Sequence, residues 1–364
     1  MVKVINISIQ EHTFISQFKK PDAATKQCLK LLSEKQLLQT LPNKSKYIVR
    51  FTLDQTNSSL AGALRRVLVD EIPTYAMGFN LMINEKGDRA DFISDLRTDD
   101  KYIFGKCDSL LKRIEAIRIQ QNIDPNEWQI SLNVINNTTE LMDIYSSHFN
   151  VLHKGKAVDV SKLMFPNYIL TRLRPQKHLT ITNIRIDRGL SSINSNKFKY
   201  LANTYYEIDT TPLSKINGKF TGRSCMESDY TKFFMGYATY RNISAYEPIK
   251  RACEVLTVRL MNIHTEWNKI KKNEPSDKIN KYQIGEIHVI EISDESYTMA
   301  NLLFYYIYKE MPSIEFATGG IKHIEKNIAV IKIKHNNYWD LFNNAVNRII
   351  DDLKIIANSF KKFN

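Results

Sequence analysis

The sequence predicts an α+β protein built from two similar units. Each unit is expected to contain a strand, an amphipathic helix, further strands and a long helix with one apolar stripe, and this order occurs twice along the chain. In the first unit, residues 76–224 are expected to form an inserted, mostly-β domain. Each unit leaves an apolar helix face uncovered, so we expect the two units to pair within the chain and to complete one another's core.

The first amphipathic helix is predicted over residues 58–73. Asn57, or one of the two serines that follow it, is expected to cap the helix, because a short side-chain oxygen accepts a free backbone N–H of the first turn. Pro73 is expected to end it. Four residues spaced i, i+4, i+7 and i+8 make its apolar face: Leu60, Leu64, Val67 and Leu68.

Two adjacent arginines, Arg65 and Arg66, point away from this apolar face. Guanidinium groups suit the recognition of carboxylates and carbonyls across an interface, so a contact with a third chain is one interpretation. Solvated side chains are another, and an ion pair with Asp70 or Glu71 within the helix is a third.

A second long helix is predicted after residue 244. Ser244 and Glu247 have the spacing of a capping box, and Pro248 follows in the first turn. Apolar residues then recur at intervals of four and three, which is typical of close helix–helix packing, and these are Ile249, Cys253, Leu256 and Leu260.

The C-terminal unit is expected to span residues 284–364, after a charged linker at 271–283. Thr298 is predicted to cap a helix, and two strands are predicted on either side of a Gly319–Gly320 turn. The apolar stripes of this helix and of the closing helix complete the predicted seam: Leu302, Leu303, Tyr306, Leu341, Ala345, Ile349 and Leu353.

The inserted region carries most of the remaining predicted elements. A helix is expected over residues 108–119 and strands over 128–136, 139–144 and 179–186, with a long polar loop at 209–229. No chemistry is assigned to residues 1–40, which are treated as an N-terminal extension.

The chain has 364 residues and a formal net charge of +12, which suits a nucleic acid or an acidic partner without identifying either. The four cysteines, Cys28, Cys107, Cys225 and Cys253, form no close pair, so we expect neither a metal site nor any other cofactor. We also expect no secretory signal and no membrane span.

Catalytic residues are not expected either. The acidic residues at 88–91 and at 99–100 are interpreted as exposed turns, and the glycines of 218–222 do not have the spacing of a phosphate-binding loop. His288 and His323 are interpreted as surface or packed residues.

Several segments resemble the alpha-like subunits of multisubunit RNA polymerases. Residues 58–76 resemble the alpha-motif helix of the larger subunit of that family, of the archaeal D or eukaryotic third-subunit type. Residues 99–117, ending in a helix that contains Arg113, and residues 241–252 are similar to further segments of it. Residues 296–303 and 316–323 resemble the smaller partner, of the archaeal L or eukaryotic eleventh-subunit type, so the chain looks like a fusion of both, as in large cytoplasmic DNA viruses.

The resemblance implies a non-catalytic assembly platform that docks the two large catalytic subunits, and a small subunit of the same complex, in the cytoplasm. Its larger unit would comprise residues 41–75 and 225–270, and Arg65, Arg66 and Arg113 would contact a large subunit. Nucleic acid would be reached only indirectly. The chain departs from the family at Gly62, Tyr297, Ala300 and Ile324 and lacks its cysteine cluster. A free-standing, basic nucleic-acid-binding protein remains the alternative.

Overall fold

The computed structural model describes residues 2–12, 46–79, 96–164, 167–209, 231–239, 243–310, 316–323 and 327–361. Most of the predicted N-terminal extension, the predicted loop at 209–229 apart from Asp209, and the segments at 88–91 and 218–222 lie outside these residues, as do Cys28, Cys225, Ile324 and the side chain of His323. The helices are α1 Ser58–Arg66, α2 Lys101–Phe104, α3 Cys107–Glu115, α4 Glu247–Lys271, α5 Tyr297–Glu310 and α6 Tyr338–Ser359. The strands are β1 Lys3–His12, β2 Lys46–Asp54, β3 Thr74–Gly78, β4 Leu96–Thr98, β5 Trp128–Ile135, β6 Met142–Tyr145, β7 Phe149–His153, β8 Lys156–Val158, β9 Ile169–Leu173, β10 His178–Gly189, β11 Leu201–Ile208, β12 Phe233–Thr239, β13 Ile279–Ile284, β14 Ile287–Ile292, β15 Phe316–His323 and β16 Ile328–Lys334.

The larger unit is built on an antiparallel sheet of order β1-β2-β12-β11. Its edge strand, β1, lies within the residues that were expected to form an extension, so that assignment is wrong for residues 3–12. The sequence of β1 does not alternate regularly between apolar and polar residues, because the pairing register shifts between Ile5 and Ser8, where Asn6 has a φ of 54°. Val4, Ile7 and Ile9 nevertheless pack against the main core.

Helix α1 begins as its sequence predicts, with the Asn57 side chain accepting a hydrogen bond of 2.8 Å from the Leu60 N–H. After Arg66 the helix widens into a π-helical turn, Val67–Glu71, and Ile72 is already extended before Pro73. The capping box predicted for α4 is wrong. Its N-cap residue is Tyr246, without a side-chain cap, and Glu247 opens the helix because Pro248 fits only its first turn.

The inserted domain has its own sheet, of order β3-β10-β5-β7-β8 with β4 also paired to β10, and a separate hydrophobic core. Its sheets draw on residues 74–189, whereas β11 returns to the sheet of the larger unit, so the predicted boundary at 224 lies too far along the chain. The helix predicted over 108–119 ends at Glu115, and the strand predicted over 139–144 is β6, Met142–Tyr145.

The smaller unit packs α5 against a sheet of order β13-β14-β16-β15, and α6 packs on α5. Because β13 begins at Ile279, the last five residues of the predicted 271–283 linker belong to this sheet.

The prediction of a turn at Gly319–Gly320 is also wrong, since both glycines lie inside β15. A Cβ atom on Gly319 would stand 2.6 Å from the Phe304 Cβ and 2.8 Å from the Ala300 backbone oxygen. The lack of a side chain at Gly319 therefore allows α5 to pack closely against β15, and Gly319 does not form a turn.

Candidate subunit interface

One hydrophobic core joins the two units through their helices. Helix α1 packs on α5, the π-helical turn packs on α4, and α6 packs on both α4 and α5. The residues of the predicted seam that lie in this core are Leu60, Leu64, Val67, Leu68, Ile249, Cys253, Leu256, Leu260, Leu302, Leu303, Tyr306, Ala345, Ile349 and Leu353. Leu341 is buried but lies outside this cluster.

An aromatic cluster fastens α4 to α6. The ring of Trp267, which is fully buried, lies 4.3 Å from the Trp339 ring and 4.4 Å from the Phe342 ring, measured between centroids. Such tilted ring pairs add about 0.5–1.5 kcal/mol each beyond the burial of their area. Trp267 continues the α4 heptad, so the same periodicity identifies it as a seam residue.

Polar contacts cross from the larger unit to the smaller one beside this core. The Asn301 Nδ2 donates to the Ser59 Oγ at 3.1 Å, and the Arg66 Nη1 donates to the Thr298 Oγ1 at 2.9 Å. Arg66 is exposed and Arg65 half-buried. One N–H of Arg66 thus reaches α5, and within the described residues neither arginine forms an ion pair with Asp70 or Glu71.

Arg259 on α4 forms ion pairs at this interface with Glu71 of the larger unit and Glu295 of the smaller one. Its guanidinium pairs with Glu71 of the π-helical turn and donates from Nε to the Glu295 Oε2 at 3.2 Å. Lys278 Nζ lies 3.0 Å from the other Glu295 oxygen, although only 1% of the Glu295 side chain is exposed. Burial alone would lower the pKa of Arg259, but Glu295 and Glu71 raise it above its ordinary value.

Sequence patterns did not identify Arg259 as a contact residue. It lies between apolar heptad positions of α4 and carries no motif. The only sequence feature that could have indicated a contact is an arginine flanked by core positions of a buried helix, and this feature does not predict which carboxylates the arginine binds.

A buried carboxylate, Asp352 on α6, ties β1 to the smaller unit. Tyr306 Oη donates to Asp352 Oδ2 at 2.8 Å, and the Val2 N–H donates to Asp352 Oδ1 at 3.1 Å. Burial and the neighbouring Asp352 raise the pKa of Tyr306, so the phenol remains a donor at neutral pH.

Arg113, the third predicted contact residue, lies on α3 of the inserted domain, away from the helix seam. Its Nη1 donates to the Leu170 backbone oxygen of β9 at 3.0 Å. The structure thus places Arg65 and Arg66 together on α1 and Arg113 on a different domain.

Asp100 is fully buried, which contradicts the prediction of an exposed turn at residues 99–100. Its carboxylate caps α2, accepting the Tyr102 N–H at 2.9 Å, and pairs with the Arg174 Nη2 at 2.6 Å. Burial acts to raise the pKa of Asp100, but the hydrogen bonds from Arg174 and Tyr102 outweigh it, and the pKa is lowered. The exposed interpretation failed because Arg174 is distant in sequence.

Because the pKa of Asp100 is lowered by its contact with Arg174, we expect the folded protein to lose stability in acid. A carboxyl group whose pKa is depressed on folding stabilises the native state above its unfolded pKa of about 3.9 and ceases to do so as the pH falls through its folded pKa. We expect Asp100→Asn to cost about 2 kcal/mol at pH 7 and the difference from wild type to shrink between pH 4 and the lower pKa. Urea unfolding at a series of pH values measures this, with Asp108→Asn as the control because the Asp108–Lys112 pair is exposed. A difference that stays constant down to pH 2 would contradict it.

Among the described residues, no three His, Cys, Asp and Glu side chains are grouped to hold a metal ion. His288 stacks on Tyr338 at 3.8 Å, and burial together with Lys281 lowers the pKa of its imidazole. Burial raises the pKa of the Cys253 thiol, which makes it a poor nucleophile. Within the same part of the chain, no helix has the length and hydropathy needed to cross a bilayer.

Comparison with known proteins gives consistent matches. Residues 288–359 match the RNA polymerase Rpb3/Rpb11 dimerisation domain. The chain is 25% identical to the protein named DNA-directed RNA polymerase RPB3-11 homolog from the Pretoriuskop tick isolate of African swine fever virus, over 83% of this chain and 84% of the relative. The homologue from a Namibian warthog isolate of that virus has the same identity and coverage, and that of the Badajoz strain is 24% identical over 81% of this chain and 82% of its own length.

Proposed function

The chain resembles fused alpha-like RNA polymerase subunits over about four fifths of its length, and on that premise we propose that it is the non-catalytic assembly platform of a multisubunit DNA-directed RNA polymerase. The observation that carries the proposal is the single core shared by α1, α4, α5 and α6. It supports a role in which the larger and smaller alpha-like units form one scaffold within one polypeptide.

The connection between the units supports this role. Helix α4 ends at Lys271 and β13 begins at Ile279, so a short segment joins the two units. A short tether holds two binding partners at roughly millimolar effective concentration. Fusion thereby favours pairing and fixes a one-to-one ratio of the units, which separate subunits reach only by assembly.

The platform is proposed to dock two large catalytic subunits, together with a small subunit of the same complex. Arg65 and Arg66 supply the charge for a large-subunit contact, since a guanidinium has five N–H donors and Arg66 directs one of them to Thr298. A cytoplasmic site of action, in a viral factory or packaged in the virion, belongs to the same proposal. The alternative of a free-standing nucleic-acid-binding protein is not favoured by the comparisons.

Co-purification tests the proposal. The tagged chain, expressed in its natural host system, is expected to retain two large subunits after gentle purification. Arg65→Glu combined with Arg66→Glu is expected to leave the chain folded, with an unchanged circular dichroism spectrum, but to abolish this retention because carboxylates repel the acidic partners that guanidinium groups bind. Lys156→Glu combined with Lys272→Glu changes the net charge equally at exposed positions of other elements and serves as the control.

Two outcomes would count against the proposal. Normal retention of the large subunits by the arginine variant would remove these residues from the interface. A wild-type chain that retains no large subunit, yet binds nucleic acid with steep salt dependence, would favour the alternative function.

A further inference from the structure

A groove of about 530 Å³ runs across the inserted domain between α2, α3 and β9. Its floor is apolar, with Ile103, Leu110 and Leu170 all buried. Two side chains at its rim are exposed: 55% of the surface of Tyr102 and 46% of that of Ile169 are open to solvent. The groove thus offers an apolar floor and two apolar rim positions to a ligand.

Among the described residues that line the groove, all the charged ones are basic. They are Lys106, Arg113 and Arg172. Lys106 Nζ donates to the Tyr102 Oη at 3.0 Å and lies 4.4 Å above that ring. Arg113 is held by one hydrogen bond to the Leu170 oxygen, and Arg172 is held by Asp143 at 2.8 Å. A guanidinium has five N–H donors, so both arginines keep donors for a carboxylate.

The groove also follows the edge of a strand. Four consecutive residues of β9, from Ile169 to Arg172, line it. Because successive side chains of a strand point to opposite faces, a groove that touches four in a row lies along the backbone edge. The only strand paired with β9 within the described residues is β6. An extended peptide can therefore approach β9 in the manner of an added strand.

We propose that this groove binds an extended acidic segment with apolar side chains at alternate positions, carried by a partner subunit of the polymerase. Alternation matches the strand edge, because one face of an added strand meets the apolar floor while the other presents carboxylates to the basic rim. The identification of the partner as a polymerase subunit rests on the function proposed above, whereas the chemistry of the segment rests on the groove.

The test measures peptide binding to the full chain by fluorescence anisotropy. The probe is a fluorescein-labelled octapeptide in which Glu and Asp alternate with Phe and Val, and the matched peptide has Lys in place of each acid. We expect the acidic peptide to bind at least tenfold more tightly than the basic one. Lys106→Glu combined with Arg113→Glu is expected to weaken binding at least tenfold, whereas Lys156→Glu with Lys272→Glu leaves it within twofold.

Arg113 also supports β9, so two milder variants keep the test independent of folding. Lys106→Glu alone and Tyr102→Ser change exposed side chains and are expected to weaken binding at least threefold with an unchanged melting temperature. Equal binding by wild type and all groove variants, or no binding of the acidic peptide, would overturn the proposal. So would tighter binding of a labelled oligothymidylate that the same variants abolish, since this would make the groove a nucleic acid site.

These results separate the two proposals. A chain that co-purifies with the large subunits but does not bind the acidic peptide keeps its function and loses the groove assignment. A chain that binds the acidic peptide through the groove but retains no large subunit loses the proposed function and keeps the groove as an acidic-peptide site.

Discussion

Replacing Arg259 with Met is expected to destabilise the protein by about 3 kcal/mol. The substitution leaves Glu295 buried without its guanidinium partner, and removing one member of a buried ion pair typically costs about 3–5 kcal/mol. We place the value at the lower end because Lys278 still faces Glu295. Urea unfolding followed by circular dichroism measures the loss as a lower midpoint.

The matched control for this variant is Lys250→Met, which lies on the same helix. Its pair with Glu254 spans 3.9 Å and both side chains are exposed, so its removal is expected to change stability by less than about 0.5 kcal/mol. Arg259→Met combined with Glu295→Gln is expected to recover part of the loss, because the buried charge is then absent. If Arg259→Met and Lys250→Met unfold at the same urea concentration, Arg259 does not hold the units together.

Replacing Gly319 with Ala is expected to cost about 1–3 kcal/mol, the usual effect of overpacking a core. The added methyl group would meet the Phe304 Cβ and, at 2.8 Å, the Ala300 backbone oxygen, and helix backbone does not move aside at low cost. Helix α5 must then shift away from β15. Calorimetry of the full chain is expected to show a lower melting temperature.

Gly320→Ala provides an adjacent control of the same chemistry. In the part of the chain that the structure describes, no heavy atom lies within 4 Å of a Cβ built on Gly320, and the φ of Gly320 is not positive. Replacement of glycine at such a position is expected to be neutral or to stabilise by about 0.4–1 kcal/mol. Equal melting temperatures for the two variants would show that the close approach of α5 to β15 does not depend on Gly319.

The sequence predicted the helices of the core well, because their apolar residues recur with the period of a helix over several turns. The apolar stripes on α4 and α6 continue over several helical turns, so the sequence alone indicated two long helices. The resemblance of the motifs to alpha-like polymerase subunits is confirmed by the comparisons. These features repeat along the chain, which is why a local pattern sufficed to find them.

Other features escaped prediction because their causes are not local. The bulge at Asn6 interrupts the alternation of β1, and the glycines of β15 look like a turn until α5 is placed against them. Asp100 and Arg259 each owe their positions to partners far along the chain, Arg174 and Glu71 respectively. Sequence spacing carries no information about such pairs.

The hydrogen bond from Val2 to Asp352 joins residues that are 350 positions apart. At about 5–20 residues per second, a ribosome needs roughly 20 to 70 s to make the intervening chain. During that interval β1 has no α6 to anchor it, because the contact can form only after Asp352 has been synthesised. Until α6 has been made, the nascent larger unit therefore exposes apolar surface that the finished protein buries, and such surface is prone to aggregation.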